Sequence, residues 1–179
     1  MNLQSDDFEL FGVARRFTQD RAQLDARWKE LQRQAHPDRF ASEGAAAQRV
    51  AMQWSVRINE AYQRLKDPLA RAAYLCELGG APVRAEDNTS MPTQFLMQQM
   101  EWREALDDAH DAQQIDALGL VVKNAERDAL AQCAALLDEA HDHAGAAQQV
   151  RALMFLARFA RSVEPVSYTH LTLPTSDLV

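Results

Sequence analysis

His36 and Asp38, held on either side of Pro37, are the residues whose types first suggest chemistry. An imidazole and a carboxylate this close can serve as an acid–base pair. The other parts of such a site are missing: no nucleophile, no cluster of metal-ligating residues and no phosphate-cradling glycine loop stands near them in the sequence. His141-Asp142-His143 offers two imidazoles and a carboxylate, but without a further local ligand it reads as a solvated polar loop rather than a metal site. Cys76 and Cys133 stand alone, which argues against a disulfide framework or a zinc knuckle and makes them small core residues. No enzyme activity, no metal and no cofactor is therefore expected. What remains for His36-Pro37-Asp38 is presentation: the proline stiffens the loop, and Asp38 can compete for a partner's arginine through charge-assisted hydrogen bonds.

The elements that must hold this loop all read as helices, because Ala, Leu, Gln, Arg and Glu dominate and β-branched runs are missing until the last residues. A short helix fits residues 6–11, closed by Gly12. Asp20 caps the next, with Gln23 as its capping-box partner, and that helix must stop near Ala35 because the residue before a proline is pushed out of helical geometry. On a helical wheel Leu24, Trp28, Leu31 and Ala35 cluster within roughly 60°. Lys29 and Arg33 form a separate basic face that leads into His36. A polar loop is expected over 38–44, then a long helix over 45–66 with Ile58, Ala61, Tyr62 and Leu65 on one face. Asp67-Pro68 opens a further short helix that ends at Gly79-Gly80.

Residues 79–93 break the periodicity and form the best domain boundary. Beyond them the pattern predicts helices over about 93–111, 115–140 and 146–161, joined by short loops as in an antiparallel bundle. In the first of these, Phe95, Trp102, Leu106 and Ala109 fall within about 60° of one another, enough for a bundle seam. On the opposite side Leu96, Met97 and Met100 share an arc of roughly 140° with Glu101, Glu104 and Asp108. Two readings fit this second face: a wide core face flanked by solubilising acids, or a small binding patch rimmed by charge. Residues 163–179 hold two prolines and no helical period. They read as an irregular tail, either a non-native segment in place of the end of the last helix or a genuine extension.

Composition narrows the class. The chain has 179 residues, 47% hydrophobic and 25% charged, which excludes disordered and low-complexity proteins. No run of about 18 apolar residues could span a bilayer, and the N-terminus lacks the pattern of a secretory signal. No membrane association is expected, and a cytoplasmic location follows as the default. Residues 1–84 carry a net charge of +2 and residues 85–179 a net of −9. That asymmetry points to two modules with different partners, and the acidic whole is a poor nucleic-acid binder.

Taken together, the short helix, basic helix, HPD loop, long helix and the Asp67-Pro68, Arg71-Ala72, Tyr74 stretch resemble the J-domain of co-chaperones that work with DnaK-class ATPases. By that resemblance His36, Pro37 and Asp38 engage the chaperone and trigger ATP hydrolysis, while Lys29 and Arg33 dock on its acidic surface. There is no Gly/Phe-rich linker and no set of C-x-x-C repeats, so the general-purpose DnaJ layout does not fit. From Asp6 through Arg161 the chain resembles instead the HscB family, J-type co-chaperones of iron–sulfur cluster assembly. That likeness rests on Leu31-Gln32-Arg33-Gln34, on HPDRFAS at 36–42, on Phe95-Leu96-Met97 followed by Gln99, Glu101 and Arg103-Glu104, and on residues 151–156.

The resemblance implies a partition into a J-domain at 1–78, a linker at 79–93, a three-helix bundle at 94–162 and the tail at 163–179. It also implies that Leu96, Met97, Met100, Glu101, Glu104, Asp108 and Phe155 bind the cluster scaffold, an IscU-type protein, and that the chaperone is HscA-type. Phe155 lies on a helix apolar almost all round, so core packing is a rival role for it. The alternative function is a J-domain adaptor for a different client.

Overall fold

The computed structural model describes residue 2 and residues 4–170, with side chains of the last helix described as far as Val163. Among the described residues the fold is all-α, with no strand. α1 (Asp7–Phe11) is capped by the Asp6 carboxylate and closed by Gly12, whose φ of 62° is the left-handed conformation that glycine adopts without strain. α2 (Arg21–Ala35) starts where Asp20 accepts the Ala22 and Gln23 amides. α3 (Ala45–Lys66) runs back beside it, and α4 (Pro68–Leu78) begins at Pro68 under the Asp67 cap.

Phe8, Phe11, Leu24, Leu31, Ile58, Tyr62 and Leu65 fill the space between these helices. The α2–α3 hairpin is fixed by polar contacts as well. Trp28 stacks on Tyr62 at 4.8 Å between ring centroids and donates to Asn59 at 2.9 Å, and the Gln32 amide donates to the same Asn59 oxygen at 2.8 Å. Beneath α1, the fully buried Asp7 carboxylate is neutralised by Arg57 at 2.7 Å and Arg64 at 2.9 Å.

The second half consists of α5 (Thr93–Asp107), α6 (Ala112–Ala134) and α7 (His143–His170), with a π turn (Ala135–Glu139) at the end of α6. The segment leading to α5 is tied down by the buried Arg151 of α7, which donates to the Val83 carbonyl and to the Ser90 carbonyl, both at 2.9 Å. The two halves share one hydrophobic core, in which Leu75 and Cys76 of α4 lie with Cys133, Leu137 and Val150. Gly79 lets the end of α4 close on the second half, because a Cβ there would run into the His143 ring.

Several expectations from periodicity need correction. The 38–44 stretch is not an open loop but a 3₁₀ helix (Pro37–Glu43), since Pro37 presets its first φ and the His36 ring accepts the Asp38 amide. α5 ends at Asp107 rather than near 111, because Asp111 is needed as the cap of α6: its carboxylate accepts the Gln114 amide while the Gln114 side chain accepts the His110 amide. α6 therefore starts at Ala112 rather than 115. α7 begins at His143, before Ala146, and continues past Arg161 through the first part of the expected irregular tail to His170. Val163 accounts for the first of the added residues, since it is buried and meets α6 at Gly119. The rest of that expected tail, residues 171–179, lies outside the described residues.

Candidate functional site

His36 leaves helical geometry with an extended ψ of 127°, as the residue before Pro37 must. Its Nδ1 accepts the Asp38 amide at 3.3 Å. The Asp38 side chain is 90% exposed, with its carboxylate 3.6 Å from the His36 ring. The loop is built to present these groups. Arg39 donates to the Arg33 carbonyl at 3.3 Å and the Ser55 hydroxyl to the Ala35 carbonyl at 3.2 Å, which satisfies carbonyls that the end of α2 leaves open.

Lys29 and Arg33 are exposed on α2 beside this loop. Arg33, however, is gripped by Glu30 in a two-pronged ion pair at 3.0 and 2.8 Å, and Gln34 donates to the same carboxylate at 2.6 Å. These bonds, Arg33 first, hold the Glu30 carboxyl at about 2, so the pair stays charged through the physiological range. Glu30 engages the Nε and Nη2 edge of Arg33 and leaves its Nη1 open to solvent. Spacing alone signals this pair, since opposite charges three residues apart share a helix face.

On α5, Leu96, Met97 and Met100 are exposed at 43%, 65% and 67%, and Glu101, Glu104 and Asp108 are exposed around them. Large apolar side chains this open, on one helix, form an unpartnered face rather than a seam. Trp102 on the opposite side is the buried contact, while Phe95, Leu106 and Ala109 are only partly buried. Phe155 on α7 packs against α5. It is half-buried, stacked on Phe159 at 6.0 Å and edge-on to Phe95 at 5.8 Å, with the Arg103 guanidinium 5.5 Å over its ring. It therefore supports α5 from beneath whatever else it touches. Periodicity does not single out Val121 of α6, which is exposed and lines a cleft of about 400 Å³ together with Phe95, Gln98 and Trp102.

Among the described residues no group of three His, Cys, Asp or Glu side chains is placed to hold a metal ion. The His141 ring bonds the Leu137 carbonyl, and the His143 ring lies against Gly79. Both cysteines are free and buried, and burial pushes their thiols up to about 11 for Cys76 and about 12 for Cys133. No described helix is long and apolar enough to cross a membrane.

Residues 91–164 match the family described as the HSCB C-terminal oligomerisation domain. The co-chaperone protein HscB homolog of Burkholderia mallei is 48% identical over 166 residues, covering 91% of this chain and 94% of that protein. Among solved structures, chaperone HscB from Vibrio cholerae superimposes with a TM-score of 0.76 at 36% identity, covering 92% of this chain and 99% of that one. The human co-chaperone protein HscB shares the fold, with a TM-score of 0.84 at 24% identity over 94% of this chain and 85% of that one. With nearly half of its residues identical to a relative matched almost end to end, the chain belongs to the HscB family of co-chaperones.

Proposed function

We propose that this protein carries an IscU-type iron–sulfur scaffold to an HscA-type chaperone of the DnaK class and stimulates that chaperone's ATPase, performing no chemistry itself. The observation that carries this reading is the separation of two presenting surfaces on one body. His36, Pro37 and Asp38, with Lys29 and Arg33, stand at the α2 end, and Leu96, Met97 and Met100 with their acidic rim stand on α5.

The physics of each surface suits its partner. A basic helix beside the loop steers an acidic chaperone surface and orients the encounter. The α5 face suits a scaffold that offers apolar side chains beside lysine or arginine, with Leu96 and Met97 as desolvated anchors and Glu101, Glu104 and Asp108 as the rim that sets register. Phe155 stiffens the patch and adds to its edge. Holding cargo and ATPase on one body replaces a chance three-way meeting with an intramolecular one.

A calorimetric titration with the iron–sulfur scaffold tests this. Micromolar binding that is lost when Leu96 and Met97 are both changed to alanine supports the reading. No heat, from protein still helical by circular dichroism, would contradict it.

A further inference from the structure

Asp138 lies in the π turn that ends α6, and its side chain is only 6% exposed. Its carboxylate reaches across to the first half of the molecule. The Phe17 amide donates to Oδ1 at 2.6 Å, the Thr18 amide to Oδ2 at 2.9 Å, and Arg16 stands 3.6 Å from Oδ2. A π turn adds a residue to the helical repeat and so rotates the residues beyond it; here Leu137 enters the core while the next side chain meets the 16–18 segment. Arg71 of α4 holds the same segment as well. Its Nε donates to the Phe17 carbonyl at 2.6 Å, and its guanidinium lies 5.0 Å over the Phe17 ring. Two residues after Thr18, Asp20 caps α2, the helix that carries Lys29, Arg33 and the His36 loop. One buried carboxylate of the bundle thus grips the residues that launch the chaperone-facing helix.

We propose that Asp138 is a positioning residue that fixes the α2–His36 arm relative to α5, so that bound scaffold and docked chaperone meet in one orientation. This role rests on the scaffold-delivery function. The neighbouring contacts between the halves, Leu75 and Cys76 against Leu137 and Cys133, are apolar packing without the angular requirement of a hydrogen bond. The Asp138 bonds add that requirement, because each amide must point at its oxygen. Bridging accelerates a reaction only while the link restricts the two ends to productive arrangements, and it weakens when the link samples many others. Asparagine at this position keeps the volume but offers one acceptor where the carboxylate has two.

The test measures three quantities for wild type, Asp138→Asn and Asp138→Ala. They are chaperone ATPase stimulation by the protein alone, affinity for the iron–sulfur scaffold, and the extra stimulation when the scaffold is added. The variants are expected to keep the first two within about twofold and to lose about tenfold of the third, as a loosened bridge would. Small-angle scattering should show a wider distribution of shapes. Variants that retain the full wild-type gain overturn the positioning role and leave the proposed function standing. Equal loss of all three quantities would mark a general folding defect and also overturn it. A wild type with no scaffold-dependent gain overturns the proposed function itself.

Discussion

His36→Gln separates the two surfaces most sharply at the scale of single residues. Glutamine keeps a polar side chain in an exposed loop whose backbone is set by Pro37, so fold and scaffold affinity are expected to stay at wild-type levels. ATPase stimulation should disappear, as a stopped-flow phosphate-release assay would record. The paired Leu96→Ala and Met97→Ala change should do the reverse, weakening scaffold binding on the order of 2 kcal/mol or more, as buried apolar anchors do. The same titration decides whether this face is an anchor or surplus surface.

The thiols give a third check. With Cys76 and Cys133 buried and their pKa values raised to about 11 and about 12, the native protein should resist a thiol-reactive disulfide at pH 8. Both should react once guanidinium unfolds the chain, and fast reaction of the native state would show that the shared core opens. Most of the surface residues are legible in the sequence because exposed groups announce themselves by type and spacing: a histidine and an aspartate across a proline, or three large apolar residues off the core stripe. Arg33's engagement by Glu30 is visible in spacing too, although a basic face read on its own hides it. Asp138 is not legible, since the amides it accepts lie about 120 residues earlier in the chain and no local pattern marks a tertiary partner.

At the scale of elements, caps locate α1, α2 and α4 to within a residue or so, because Asp6, Asp20 and Asp67 each bond the amides they precede. The second half is harder. Periodicity does not distinguish an α turn from the π turn at Ala135–Glu139, and the end of α5 depends on the demand of α6 for Asp111. α5 itself is held by rings: Phe95 edge-on to Trp102 at 5.9 Å, and Trp102 near Phe159 at 6.3 Å. Trp102→Ala should cost roughly 3–5 kcal/mol by thermal or urea unfolding, and it should weaken scaffold binding without touching chaperone stimulation.

The contact between the halves carries a pH signature. Burial raises the Asp138 carboxyl, but the Thr18 and Phe17 amides and the Arg16 charge outweigh it, leaving the group below its ordinary value of 3.8. A carboxylate with a depressed folded pKa stabilises fully above its unfolded value and loses that contribution as pH falls through the folded one. The difference in unfolding midpoint between wild type and Asp138→Asn should therefore be constant above about pH 5 and shrink toward zero in stronger acid. A difference that does not change with pH would show that the carboxylate's charge has no part in the contact.

As a whole molecule, the proposed bridge has two ends that differ in charge as well as in partner. The net of +2 over residues 1–84 and −9 over residues 85–179 gives each end a field suited to an oppositely charged surface, and the salt dependence of the two associations should reflect this. Whether both surfaces must act from one body is answered by single-turnover ATPase measurements on the chaperone with scaffold present, comparing wild type with an equimolar mixture of His36→Gln protein and the Leu96→Ala, Met97→Ala protein. Each variant retains one of the two surfaces, so the mixture supplies both, but on separate molecules. The mixture is expected to fall well short of wild-type stimulation at every concentration below saturation. Full recovery by the mixture would contradict the proposed bridge, because the loop and the α5 face would then be independent activities that share a chain.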